Sequence, residues 1–360
     1  MRVLALDSGS SSLKHALYEM PGEQLAGSGT IEARGDAQTA VLENVIGSIL
    51  GSGATIDAVG HRIVMGGPDH LADEIVTDAL LADLRGLVPF DPLHLPAQLR
   101  LIQRARELLP SALHVACFDT AFFRDMPPVA RHYPLPASVG AAVRRYGFHG
   151  LSYEYIVSTG QAVGRAVVAH LGSGASMAAL RNGIPLDTTM GFSPLGGLMM
   201  GTRPGDLDPG LLLFLLRRPS GANVDALTDL LTEQSGLLGV SETSADMRRL
   251  LAKSTTDERA RSAVELFVYI AVKNASALAG VCGGLDTFIF TGGIGQSSAP
   301  IRQAIGAGLA YLGVEIDVEL NARSENRVSS ERSAVDVLVI PTNESAIIAR
   351  HAGGLVHRSV

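Results

Sequence analysis

Six short segments of this 360-residue chain carry side chains suited to handling a phosphate-like anion. DSGSSSLK, from Asp7 to Lys14, concentrates serine hydroxyls, turn amides and one ammonium group. Successive turn amides form an anion-binding concavity, and Lys14 adds a point charge to it. HRIVMGG sets Arg62 within an apolar run, and GTRPGD sets Arg203 in a glycine-rich one. A desolvated guanidinium without an anionic partner is costly, so both arginines demand one. Two arginines converging on a transferring phosphoryl group would neutralise charge on its equatorial oxygens, where most of the catalytic stabilisation lies. FDTAFF and PTNES put Asp119 and Glu344 at the ends of expected strands, where carboxylates hold Mg²⁺ directly or through water. RRYGFHG presents His149 as a hydrogen-bond donor to a phosphoryl oxygen.

Each of these residues also has a plainer use. The serine-rich turn serves equally as a solvated hairpin tip. Arg203 can pair with Asp206 or Asp208, Glu344 suits the first turn of a helix, and His149 can sit satisfied in a core. The phosphate loop GxxxxGK[ST] is absent, as is the protein-kinase HRD and DFG set. No His, Cys and carboxylate set has zinc-ligand spacing, so zinc is not expected.

The elements that must position these groups read as apolar runs broken by glycine and polar turns. Residues 2–6 and 13–18 flank the serine-rich turn as a hairpin. Residues 38–50 have helical spacing, and 56–65 reads as a strand stopped by Gly66-Gly67-Pro68. Amphipathic helices are expected over 77–86 and 96–109, the second opened by Pro96, and a strand over 114–118 leads into Asp119. After Arg144 the pattern restarts with a strand at 166–171, the turn GSGAS and a return strand at 177–180. Laying LDSGSSS over LGSGAS puts Gly9 on Gly174, an offset of 174 − 9 = 165 residues. That match suggests a duplicated domain whose two phosphate loops face one cleft; chance likeness of two Gly/Ser turns is the alternative. Helices at 222–233 and 257–279, strands at 285–291 and 334–340, and a closing helix from Ser345 to about His351 complete an α/β pattern.

The bulk composition bounds the function. A chain of this length with 46% hydrophobic and 18% charged residues supports two packed domains. A formal charge of −7 and a pI near 5.8 argue against a nucleic-acid partner. The two cysteines, Cys117 and Cys282, lie in apolar segments and read as buried free thiols. Residues 1–7 run directly into a strand without a signal-like segment, and no stretch of about 18 uncharged apolar residues is present. A cytoplasmic protein that does not span a membrane is the expectation.

The ordered set LALDSGSSSLK, GHRIVMGG, PLHLPA, FDTAF, RRYGFHG, HLGSGAS, DTTMGFSPLGGLMMGTRPGDLDP, IFTGGIG and IPTNE resembles the acetate kinase family from Leu4 to about Arg350. The long DTTMGFSPLGGLMMGTRPGDLDP segment carries most of the specificity. The resemblance implies two duplicated actin-like (ribonuclease H-like) α/β domains flanking a nucleotide cleft. It divides the chain into residues 1–121 plus 346–360 and residues 122–345, the latter bearing the nucleotide site and a homodimer interface. It implies reversible phosphoryl transfer from ATP to acetate, giving acetyl phosphate and ADP, with Mg²⁺ or Mn²⁺. Arg62 and Arg203 then clamp the transferred phosphoryl group, His149 donates a hydrogen bond to it, and Asp119 and Glu344 match positions tied to catalysis and the metal. Ser10, Ser12 and Lys14 match the first phosphate loop, and His170, Gly172, Ser173 and Gly174 the second. Gly292, Gly293, Ile294 and Gly295 match the adenosine-binding turn. Val64, Leu93, Phe148 and Pro194 match the acyl pocket, and their apolar character fits a methyl or ethyl group.

The chain departs from the family pattern at Asp7 and Ser173, where Asn is usual, and at Met65, Phe123 and Tyr153, where His is usual. Leu95, Gly196 and the GGIGQS segment also differ. A carboxylate at Asp7 would repel phosphate unless it holds Mg²⁺ or another cation. Propionate or butyrate as acceptor, pyrophosphate as donor, and a non-catalytic nucleotide sensor on the same fold remain the alternatives.

Overall fold

A computed structural model describes residues 1–9, 12–33, 35, 37–218 and 223–359. The chain folds into two units. Unit 1 comprises Met1–Arg124, Phe148–Tyr155 and Asn343–Val360; unit 2 comprises Asp125–Gly147 and Ile156–Thr342. The division expected at 121/122 and 345/346 thus falls a few residues later and earlier, and residues 148–155 return to unit 1. Leu151 explains that return, since it is buried in one core with Val3, Ala5, Ile347 and Ile348.

Unit 1 is built on a six-stranded sheet in the order β3-β2-β1-β4-β6-β5. Its strands are β1 (Arg2–Ser8), β2 (Ser12–Glu19), β3 (Gln24–Glu32), β4 (Ala58–Ile63), β5 (Glu74–Ile75) and β6 (Leu113–Phe118). β1, β4 and β6 run parallel, while β2, β3 and β5 pair antiparallel to their neighbours. Alternation along β1 splits the core between the two faces. Val3 and Ala5 face the helix Glu344–Ser359, whereas Leu4 and Leu6 join Leu42, Ile46 and Leu101 from the helices Ala37–Gly51 and Leu95–Leu108. Each fully buried aliphatic side chain contributes roughly 1.5–3 kcal/mol. β3 has no apolar alternation, because it is an exposed edge strand, and the sequence pattern does not reveal it.

Unit 2 repeats the plan. Its sheet runs β11-β10-β7-β8-β9, with β7 (Arg165–Leu171), β8 (Ala175–Arg181), β9 (Ile184–Thr188), β10 (Thr287–Thr291) and β11 (Asp336–Val339). Again a three-strand meander feeds two parallel strands on its inner side. The strand ends fix the correspondence, since β1 stops at Ser8 and β7 at Leu171, and the register carries it across each sheet. Val3 pairs with Ala58, which pairs with Leu113; Ala166 pairs with Thr287, which pairs with Asp336. The offset between β1 and β7 is therefore 166 − 3 = 163, so Gly9 corresponds to Gly172 rather than Gly174. The turns agree: Gly9 donates to the Ser12 carbonyl at 2.9 Å and Gly172 to the Gly174 carbonyl at 3.0 Å. The sequence overlay slips because the second turn is shorter, and matching serines outweigh matching strands.

The helix Glu258–Cys282 is long and apolar enough to cross a membrane by length and composition. Asp257 caps it by accepting from the Arg259 and Ala260 amides. Its face of Ala260, Ala263, Phe267, Ala271, Ala275 and Leu278 is buried, with spacings of three and four residues, and the helix packs on β7, β8 and β9.

Candidate active site

Three adjacent parallel strands of unit 1 deliver the charged groups. Asp7 lies near the end of β1, Arg62 near the end of β4, and Asp119 immediately after β6. Arg62 Nη1 donates to Asp7 Oδ1 at 2.7 Å, and Nη2 and Nε donate to Asp119 Oδ2 at 2.6 and 3.1 Å. Lys14 Nζ lies 3.3 Å from Asp7 Oδ2. Asp7 therefore holds cations rather than repelling phosphate unopposed. Burial pushes its carboxyl up, but Arg62 and Lys14 outweigh burial and hold it below the usual range. Arg62 is pulled down by burial, yet Asp119, Asp7 and Glu344 raise it well above its ordinary value. Its guanidinium stays charged.

Glu344 opens the helix Glu344–Ser359 and faces the same cluster. Burial pushes its carboxyl up to about 7; Arg62 opposes that push, while Asp7 and Asp119 add to it. Three carboxylates thus surround two cations, and one buried oxygen, Asp119 Oδ1, has no hydrogen-bond partner. An oxygen-rich set with an orphaned carboxylate oxygen suits a hard divalent cation. Both Asp7 oxygens are already engaged, so Asp119 is the better placed companion to Glu344 for that ion.

Two buried glutamines, invisible as site residues in the sequence, fix the hairpin tip. Gln38 Nε2 donates to the Gly9 and Ala33 carbonyls at 2.8 and 3.0 Å, and its Oε1 accepts from Ser8 Oγ at 2.8 Å. Gln98 Oε1 accepts from the Val64 amide at 3.1 Å. Their only sequence signal is an amide side chain on the apolar side of a helix. Beside them Ser8, Gly9, Pro92, Leu93 and His94 line a cavity of about 190 Å³. Leu93 is on its wall; Val64 and Phe148 are buried elsewhere in unit 1. Ser12 begins β2, and Ser10 lies outside the described residues.

His149 has φ +60°, an uncommon conformation for a residue with a side chain. Its neighbour Gly150 passes so close to the Asp119 carbonyl that any Cβ there would overlap it. That approach ties the GFHG segment to the Asp119 turn. Met65, Phe123 and Tyr153 are almost wholly buried, and the Phe123 and Tyr153 rings meet edge to face at 5.8 Å. The positions where histidines are usual have thus become apolar packing.

Unit 2 presents a different set. Gly172, Ser173 and Gly174 form the β7–β8 turn, and the Ser173 carbonyl accepts from the Gly201 amide at 2.9 Å. A Cβ on Gly172 would lie 3.8 Å from the Gly293 nitrogen, so the glycine turn and the GGIG segment are neighbours. Gly292 has φ +75° and packs on Leu171; GGIG opens a short helix rather than a plain turn. Arg203 Nη1 donates to the Pro194 carbonyl at 2.9 Å. Of the carboxylates considered for Arg203, Asp206 accepts from the Gly197 amide and Asp208 caps the helix Pro209–Arg217. His170 ends the buried run of β7.

The chain is thus a doubled α/β protein with a guanidinium locked between carboxylates at three strand ends and glycine turns at the matching place in the second unit. A profile of the Acetokinase family matches residues 22–350. An acetate kinase from Rhodopseudomonas palustris (strain TIE-1) is 43% identical over 97% of each chain, and one from Methylocella silvestris is 46% identical over 84% of this chain and 76% of its own. Among solved structures, a propionate kinase from Francisella tularensis subsp. tularensis SCHU S4 superposes with a TM-score of 0.91 at 31% identity, covering 98% of this chain and 99% of its own. Porphyromonas gingivalis acetate kinase gives 0.86 at 33% identity, covering 99% of both. This chain belongs to the acetokinase family.

Proposed function

We propose that the protein is a kinase transferring a phosphoryl group reversibly between ATP and acetate, giving acetyl phosphate and ADP. The observation that carries this reading is Arg62, charged, nearly buried and held by Asp7 and Asp119 in an acetokinase-family chain. An acetate oxygen forms the new bond to the γ-phosphorus while the bond to the β–γ bridging oxygen breaks and ADP leaves. The acetate oxygen is already anionic, so no strong base is needed; the task is to place two anions together and neutralise their repulsion. Arg62 offers its remaining guanidinium face to the phosphoryl oxygens, and its two carboxylates pre-set its orientation. Arg203 and His149 act as further phosphoryl ligands, Lys14 and Ser12 as phosphate ligands. His170, Gly172–Gly174 and Gly292–Gly295 serve the nucleotide. Asp119 and Glu344 would hold Mg²⁺, which supplies charge neutralisation on the nucleotide phosphates when bound.

Propionate as acceptor is the second reading, favoured by the apolar Val64, Leu93 and Phe148 and by the propionate kinase neighbour. One methylene discriminates by only about 1–3 kcal/mol. We also infer a cytoplasmic homodimer joined through unit 2, where the helix Pro209–Arg217 (PGLLLFLLR) buries none of its residues and leaves Phe214 61% exposed. Phe214→Glu should turn the dimer into a monomer in sedimentation; a monomeric parent protein would remove the proposal. The activity is tested by trapping acyl phosphate as hydroxamate with Mg²⁺ and ATP, across acetate, propionate and butyrate. Signal only with pyrophosphate, or nucleotide binding without turnover, would overturn ATP-dependent transfer.

A further inference from the structure

Behind the candidate active site, on the face of the unit 1 sheet covered by the helix Glu344–Ser359, a second set of ligand atoms comes together. The β5–β6 register pairs Glu74 with Ala116 antiparallel, so Asp73 and Cys117 are the next opposed positions. Opposed residues in an antiparallel pair share a face. His351 reaches that face from the covering helix. The ligand atoms of Asp73, Cys117 and His351 all lie within 4.8 Å of one another.

The polar accounting of this group is incomplete. His351 Nδ1 lies 3.0 Å from Asp73 Oδ2 but lacks the alignment of a hydrogen bond, and Asp73 Oδ1 is likewise buried without a partner. The Cys117 sulfur makes a long contact, 3.9 Å, to the Ile348 carbonyl. On the other side of the ring, His351 Nε2 sits 2.7 Å from Glu154 Oε1. A carboxylate accepting from one imidazole nitrogen fixes the tautomer and aims the other nitrogen's lone pair, the arrangement that supports metal-bound histidines.

We propose that Asp73, Cys117 and His351 bind a zinc-class divalent ion, with Glu154 positioning the histidine. Thiolate, imidazole and carboxylate form a ligand set suited to such an ion, and three protein ligands leave the fourth tetrahedral place to water. Tetrahedral bonds of about 2.0–2.3 Å put ligand atoms about 3.3–3.6 Å apart, so small side-chain rotations close the set. Burial pulls the His351 pKa down, but Asp73, Cys117 and Glu154 hold it up to about 12. Binding therefore replaces two protons, that of the Cys117 thiol and that on His351 Nδ1, with bonds to the metal, and both pass to solvent. The ion would staple β6, which leads into Asp119, to the helix that begins at Glu344, making it a structural clamp on the elements that carry the active-site carboxylates.

The test is titration of the reduced, full-length protein with Co²⁺. Thiolate ligation gives a sulfur-to-cobalt charge-transfer absorption that the oxygen ligands near Arg62 cannot produce. The expected result is one such site per chain, absent in Cys117→Ser and unchanged in Cys282→Ser. His351→Gln, at a position less dependent on core packing, should weaken binding at least tenfold, and Glu154→Gln by about 10–100-fold. Zn²⁺ should also raise the thermal midpoint of the parent protein but not of His351→Gln. Folded parent protein without the absorption, a band that survives in Cys117→Ser, or affinity unchanged in His351→Gln would each overturn the proposal and leave His351 as an imidazolium bridging two carboxylates.

Discussion

The same three strand-end positions carry opposite chemistry in the two units. By register, Asp7, Arg62 and Asp119 of unit 1 correspond to His170, Thr291 and Thr342 of unit 2. The first trio is a charged lattice of short ion pairs; in the second, the Thr291 and Thr342 hydroxyls are buried without hydrogen-bond partners. Duplicating a topology therefore duplicates where side chains are delivered, not what they do. Unit 1 concentrates charge at these strand ends, whereas unit 2 places an imidazole and two hydroxyls there.

The contrast can be broken most sharply at Arg62. Arg62→Ala should lower turnover by about 10³-fold or more, as loss of a phosphoryl-binding arginine does elsewhere. It should also cost about 3–5 kcal/mol of stability, because Asp119 is left as an unpaired buried charge and Asp7 keeps only Lys14. Thr291→Val in unit 2 should change turnover far less. Steady-state kinetics and urea denaturation of both variants decide this, and equal effects would erase the distinction between the units.

Glu344 sharpens it through pH. Its folded pKa of about 7 lies above its ordinary 4.5, so its stabilising contribution is complete below about pH 4.5 and is lost as pH rises through 7. Asp7 has the opposite sign, its contribution being lost as pH falls. The buried His61–His114 pair shares the sign of Asp7, since burial and the neighbouring ring hold His61 well down and acid therefore favours the unfolded chain. Comparing the parent with Glu344→Gln isolates the first effect. In chelator, the variant should gain on the order of 2–3 kcal/mol relative to the parent between pH 4.5 and 8. Parallel stability curves would show that Glu344 does not titrate as stated, and added Mg²⁺ should shrink the gap if Glu344 holds the ion.

In unit 2, Thr342→Val should leave stability unchanged or raise it by about 1 kcal/mol, since a buried unpaired hydroxyl is replaced by a methyl group. Calorimetry should find weaker nucleotide binding in the same variant; clear destabilisation would mean that the hydroxyl already has a use in the free protein. The smallest effect is expected at Val64→Ala, which should move kcat/KM toward propionate over acetate by roughly tenfold at most. An unchanged ratio would remove Val64 from the acyl pocket.

Sequence by itself determined much of this protein because much of its information is local. Alternation and turn residues located β1, β2, β4, β6, β7, β8, β10 and β11, and motif order fixed the family. Local pattern also singled out Arg62, Asp119 and Glu344, whose tertiary partners it could not name. β3 and β9 went unseen because edge strands bury too little to impose a pattern. The role of Asp7 was decided only by folding, which set Arg62 and Lys14 against it from β4 and β2. Zinc was not expected from the sequence for the same reason. Asp73, Cys117, Glu154 and His351 span 278 positions (351 − 73), and no local spacing rule reaches across a sheet and its covering helix. Spacing is read along the chain, whereas charge balance and ligand geometry are set by contacts between distant elements.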